Sequence, residues 1–173
     1  MFRNAGSVEA WANALLLQED IVRADMAGQL LTMLYTEKIR EEASAAYSVM
    51  AQAAIHRNDF RTTGQLFVYC PMKPEKGDIA TKIIFDEVKN MATTVDLEKL
   101  NKAKEYMLKN VDDQAKTNNY WIRKIGTLRD YGVDTHTDYK KVVEAQTPES
   151  VAAFVKELLK PGNRAEVIMM PAE

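Results

Sequence analysis

Two strand-like runs near the middle of the chain constrain its fold more than any other feature. They are AYSVMAQAAI at 46–55 and GQLFVYC at 64–70. In the second, Leu66, Val68 and Cys70 alternate with Phe67 and Tyr69, and Pro71 ends the run. HRNDFRTT between them supplies turn chemistry and places His56 in the turn. The spacing predicts an antiparallel hairpin with a longish loop, so neither an all-helical nor a parallel-sheet fold suits this chain.

Helical patterns surround the hairpin. Residues 18–42 carry Ile21, Val22, Met26, Leu30, Leu31, Leu34 and Ile39 at spacings of mostly three to five, which predicts an amphipathic helix. Glu19 and Asp20 fall in its first turn, where carboxylates complement the helix dipole. Gly77 and Asp78 open a second helix with Ile79, Ile83, Ile84, Val88 and Met91 on one side. Asp96 is a candidate N-cap for a third, which DDQAKTNN interrupts before Ile122, Ile125 and Leu128 resume it and Gly132 stops it. TPESVAAFVKELLKPGN is the clearest helix. Thr147 caps it, Pro148 suits its first position, and Pro161 and Gly162 end it.

SVEAWAN at 7–13 reads as an opening strand and AEVIMM at 165–170 as a closing one. The expected order is β-α-β-β-α-α-α-β: an α+β domain, about four antiparallel strands with helices on one face. At 173 residues, 1–173 reads as a single domain.

Several function classes find no support. A net charge of −2 gives no electrostatic footprint for nucleic acid. No apolar run approaches transmembrane length, and the first residues lack the order of a signal peptide, so the chain as given reads as soluble, with no membrane partner. Cys70 is the single cysteine, most simply a small core residue, so an internal disulfide and a Cys-rich zinc site are both excluded. His56 and His136 stand eighty positions apart, which rules out H-E-x-x-H and H-x-x-E-H. Asp134 and Asp138 around His136 read as solvated loop residues rather than as metal ligands. Nucleophile-elbow and phosphate-loop patterns are missing, and the adjacent Glu41 and Glu42 point about 100° apart on a helix. The chain alone is not read as an enzyme.

One segment asks for another explanation. In EKIREEASAAYSV, residues 37–49, a charged helix end runs directly into small residues and a strand. Arg40 and Tyr47 are the side chains there suited to polar chemistry. By themselves the residues leave two readings open. Arg40 pairs with the last helix carbonyls and Tyr47 is a core residue with its hydroxyl at the surface, or the two face a ligand.

The order of helix, REE, small residues, AYSV, strand, hairpin and strand resembles the C-terminal half-domains of pitrilysin-type zinc peptidases, the inverzincins. That family includes insulin-degrading enzyme and the mitochondrial processing peptidase. YTEKIREEASAAYSV looks like its large bacterial members, and TPESVAAFVKELLKPGNRAEVIMMP looks like its closing helix, turn and strand. The likeness runs over roughly residues 7–171, though no single motif in it is diagnostic.

The resemblance implies a fragment of a larger multi-domain peptidase and a metal-free domain. Zinc would be held by a catalytic domain of the same chain or of a partner subunit. Arg40 and Tyr47 would contact a peptide or unfolded-polypeptide substrate near that zinc. An inactive scaffold or assembly module of the same fold is the alternative. By resemblance alone, an exported or periplasmic location is favoured over the cytoplasm. Many relatives carry glycine before the tyrosine, where this chain has Ala43, Ser44, Ala45 and Ala46. A left-handed turn there would cost a non-glycine residue roughly 1 kcal/mol.

Overall fold

The computed structural model describes residues 18–57, 62–160, 162 and 164–169. Helix α1, Gln18–Tyr35, continues without a break into a π-helical segment, Thr36–Glu42. Strands β1, Met50–Arg57, and β2, Thr62–Tyr69, form an antiparallel pair in which Met50 faces Tyr69 and Arg57 faces Thr62. A single 3-10 turn, Pro74–Lys76, leads into α2, Gly77–Met91. Then come α3, Leu97–Gln114; α4, Asn118–Tyr131; α5, Tyr139–Ala145; and α6, Pro148–Leu159. The class is α+β.

Helix α1 is the axis of the packing. Its buried residues are Val22, Ala24, Met26, Ala27, Gly28, Leu30, Leu31 and Tyr35. They cover most of the helix circumference rather than one stripe and leave open a strip through Ile21, Asp25, Gln29 and Thr32, as expected of a helix largely enclosed by its neighbours. Ile39 of the π-helical segment, Leu100 of α3, Val143 of α5, and Val151 and Val155 of α6 are fully buried as well. On the sheet side α1 meets Ala51 and Ala53, whose small side chains let the two backbones approach. Thr32 Oγ1 ties the layers together. It accepts from Ala51 N at 3.0 Å, and its one proton is shared between Ala51 O at 3.1 Å and Gly28 O at 2.9 Å.

The helix starts follow their capping residues. Asp96 accepts from Lys99 N at 2.8 Å, and Thr147 and Ser150 form a reciprocal capping box. Gly132 ends α4 at φ 70°, a left-handed cap.

Four expectations change. The stretch around DDQAKTNN separates two helices, because Thr117 caps a new one by accepting from Tyr120 N. Helix α5 was not foreseen; it is seven residues long and Asp138 gives it no side-chain cap. His56 lies on β1 opposite Thr63 rather than in the turn. The closing strand does not form over 165–169. There Arg164 stacks on the Phe85 ring at 3.5 Å and pairs with Glu166, while Val167, Ile168 and Met169 stay exposed. Strand-forming side chains need a neighbouring ladder, and the described residues offer none there. The opening strand expected at 7–13 lies outside the described residues. Among those described, the sheet has two strands rather than four.

Candidate functional site

The π-helical segment widens the end of the central helix. Ala43 N donates to Lys38 O at 3.0 Å, five residues back, and Ala45 N to Ile39 O at 2.8 Å, six residues back. Such widened turns are uncommon and are enriched at functional sites. Ile39 points inward and is fully buried, whereas Arg40, Glu41 and Glu42 are exposed. Ser44 then takes φ 49°. The junction therefore does use the left-handed region, and this chain places a serine there.

Beyond Ser44 the backbone pairs once, Ala46 with Met72, before the β1–β2 ladder begins at Met50 and Tyr69. Tyr47, Ser48 and Val49 thus stand opposite Cys70 and Pro71, three residues against two. The first strand carries one extra residue, as in a β-bulge. Pro71 has no N–H to donate across this gap. Tyr47 accordingly lies outside the ladder that its sequence predicted, and its ring is 88% exposed.

These two irregularities bring Arg40 and Tyr47 together. The guanidinium carbon stands 6.0 Å from the ring centroid, at the outer limit of a cation–π contact. Among the described residues, neither the guanidinium nor the phenol is taken up by a hydrogen bond or an ion pair. Arg40 thus bonds none of the described helix carbonyls, and Tyr47 is exposed rather than part of the core.

Two of the flanking charges, Glu37 and Lys38, are engaged elsewhere. Lys38 Nζ bonds the buried Glu87 Oε1 at 2.6 Å, and that bond raises the lysine pKa. Glu37 pairs with Lys99, which lowers the carboxyl. Tyr35, buried beneath this segment, donates to Ile84 O at 3.0 Å, and burial pushes its hydroxyl up. A recess of about 390 Å³ lined by Gln29, Thr32, Thr36, Glu37 and Glu41 runs along the same side of the helix.

A second recess, about 360 Å³, lies between α1, α3 and α4 and contains Asp25, Lys124 and Tyr139. The surrounding protein raises Asp25 to about 6, against the pull of Lys124 and Arg123. The carboxylate nevertheless opens to solvent, and water access keeps it charged at neutral pH. Lys124 is lowered by burial, and its Nζ donates to Thr135 O at 2.9 Å. Sequence spacing gave no signal for this recess, since its groups come from four elements.

The loop before α5 is organised by Asp134. Its Oδ1 accepts from His136 N and Thr137 N at 2.7 and 3.0 Å, and its Oδ2 from the Thr137 hydroxyl at 2.5 Å. His136 Nδ1 meets the Tyr120 hydroxyl at 2.8 Å. Among the described residues no three His, Cys, Asp or Glu side chains gather to hold a metal. Cys70 is half-buried, and burial raises its thiol. No described helix is long and apolar enough to cross a membrane.

Fold and site together define an α+β domain with an exposed cation and phenol at a widened helix-to-strand junction. The family profile described as Peptidase M16 inactive domain matches residues 11–107, more than half of the chain, and the chain belongs to that family. Two solved structures share the fold. The periplasmic protease PqqL from Escherichia coli aligns with a TM-score of 0.64 and 21% identity over 84% of this chain. The ferredoxin protease FusC, in complex with Arabidopsis ferredoxin, aligns with a TM-score of 0.63 and 15% identity over 83%. A conserved protein from Enterococcus faecalis aligns at 0.52 with 14% identity over 80% of this chain and 35% of its own. The chain spans 16% of the length of either protease. Comparison with curated proteins gave no match.

Proposed function

We propose that this chain is the substrate-binding, non-catalytic domain of a larger multi-domain zinc metallopeptidase, closing its peptide chamber. The observation that carries this reading is the exposed pair Arg40 and Tyr47, held 6.0 Å apart with their donors uncommitted. Zinc, its ligands and the catalytic base would come from another domain of the same chain or from a partner subunit, where the metal supplies the activated water. The residues described in this domain do not fit a metal.

The role of the pair follows from its chemistry. Peptide hydrolysis builds negative charge on the scissile carbonyl oxygen, and a guanidinium and a phenol both donate hydrogen bonds to such an oxygen. A charge-assisted bond of this kind contributes about 1.5–3 kcal/mol. A substrate strand added to a sheet edge of the catalytic domain would be read chiefly through its backbone, which suits broad specificity. The ferredoxin bound to FusC supports a protein or unfolded-polypeptide substrate, and the periplasmic setting of PqqL favours an exported location.

The test is Arg40→Ala and Tyr47→Phe in the complete enzyme. A loss of roughly ten- to hundredfold in kcat/KM is expected for Arg40→Ala, with a smaller loss for Tyr47→Phe. Unchanged kcat/KM in both variants would remove the role assigned to the pair. A full-length protein and partners lacking H-x-x-E-H would replace this reading with that of an assembly module.

A further inference from the structure

We propose that Lys76 is a positioning residue for Tyr47, acting through the backbone at Ala43 and Ser44. The inference rests on the substrate-facing role just given to Tyr47. A ring that is 88% exposed has little packing of its own to fix it, so its placement is inherited from the backbone before it. Arg40 lies upstream of Ala43 and Tyr47 lies downstream of Ala46. Their separation is therefore set by the six residues between, and one of those, Ser44, is held at φ 49°.

Residues 43–46 are held from two sides: Ala43 N and Ala45 N bond back to Lys38 O and Ile39 O in the helical segment, and a second set of contacts comes from further along the chain. Lys73 N donates to Ala45 O at 2.9 Å, Ala46 bridges Met72, and Lys76 Nζ donates to Ala43 O at 2.5 Å. These contacts come from the segment Met72–Lys76, at the threshold of α2. The first two are a single backbone pairing, since the Lys73 N–Ala45 O bond belongs to the Ala46–Met72 bridge. The third is a side-chain cation on a carbonyl at the end of the helical segment, where both the hydrogen bond and the local dipole favour positive charge.

Lys76 thus fixes the peptide plane that enters the left-handed residue. Releasing that carbonyl removes one of the constraints that keep Ser44 in its strained conformation and lets it shift toward the commoner regions open to a serine. Because Ser44 precedes the bridge by two residues, a change there swings the extra-residue segment that carries Tyr47. Lys76 also ties the substrate-facing pair to α2, whose Glu87 already holds Lys38 on the same helical segment.

The experiment uses the full-length protein with 3-fluorotyrosine placed at position 47, and separately at position 35 as a folding control. The buried Tyr35 ring reports on the core beneath the same segment. Lys76→Met keeps the aliphatic stem and removes the cation, whereas Lys76→Arg keeps a donor. Lys76→Met is expected to shift and broaden the position-47 fluorine resonance and leave that at position 35 in place. A roughly three- to tenfold fall in peptide affinity or kcat/KM should accompany it, with most of both effects restored in Lys76→Arg. An unmoved position-47 resonance in Lys76→Met overturns the inference, whatever the peptide assay gives. A moved resonance combined with normal peptide handling by Tyr47→Phe upholds the positioning role and overturns the substrate reading instead.

Discussion

Gly28 and Ala53 bring two backbones into direct contact. A β-carbon at Gly28 would lie 3.0 Å from Ala53 N and 3.3 Å from Ala51 O, and backbone atoms have no rotamer with which to withdraw. Gly28→Ala therefore sets two effects against each other. Alanine favours the helix by about 0.8–1 kcal/mol, while overpacking costs about 1–3 kcal/mol. The clash should win. We expect a net loss of up to about 2 kcal/mol, read as a lower urea midpoint at unchanged m. A more stable variant would mean that α1 and β1 are not held at this distance.

Thr32 works at the same contact. Its hydroxyl serves both Ala51 N and Ala51 O, so Thr32→Val would leave two backbone groups without their partner. A cost of about 1–3 kcal/mol is expected, together with faster hydrogen exchange at the Ala51 amide. Thr36→Val is the matched control. The Thr36 hydroxyl donates to Thr32 O, four residues back, and makes no tie to the sheet. Equal effects of the two substitutions would show that the hydroxyl of Thr32 does not join the layers.

What could be read beforehand divides along the range of the interactions. Asp96, Thr147 and Gly132 acted where the sequence placed them, because a cap is satisfied by backbone within four residues. Ala24, Ala27 and Gly28 gave no comparable warning. Small residues carry little hydrophobic signal, yet they let neighbours enclose α1 over most of its circumference, more than its amphipathic pattern indicates. The strand-like residues Val167, Ile168 and Met169 failed in the opposite sense, since propensity without a neighbouring edge makes no sheet. Arg40 and Tyr47 stand out in the sequence through the family resemblance of their surroundings. Their juxtaposition goes with a π-helical turn, a left-handed serine and a strand with one residue too many. Ala43 and Ala46 there contact Lys76 and Met72, about thirty positions away, which local pattern does not register.

Ser44 offers a direct measure of stored backbone strain. At φ 49° a side chain costs roughly 1–2 kcal/mol, against about 0.4–1 kcal/mol of added unfolded-state entropy when glycine is introduced. Ser44→Gly should therefore be neutral to about 1 kcal/mol more stable. Ser44→Val, β-branched in the same region, should lose more than about 1 kcal/mol. Thermal unfolding of the two variants decides the matter. A stabilising valine would mean that the backbone at this junction does not hold a positive φ.

Asp134 should make the loop before α5 sensitive to acid. Three donors, the Thr137 hydroxyl foremost and then the amides of His136 and Thr137, lower its carboxyl from the ordinary 3.8 to about 2. A carboxylate depressed by folding binds its proton more weakly in the native state than in the unfolded chain. Its contribution is complete above the unfolded value and disappears as pH falls through the folded one. Asp134→Ala should consequently lower Tm at pH 7, and the difference from the parent should shrink between about pH 4 and pH 2. Because the group is open to solvent, added salt should shrink that difference too. A Tm difference that stays constant from pH 7 to pH 2 would assign the loss to the missing side chain's packing rather than to its charge. In that case the turn from Asp134 to Thr137 is held by contacts other than the carboxylate.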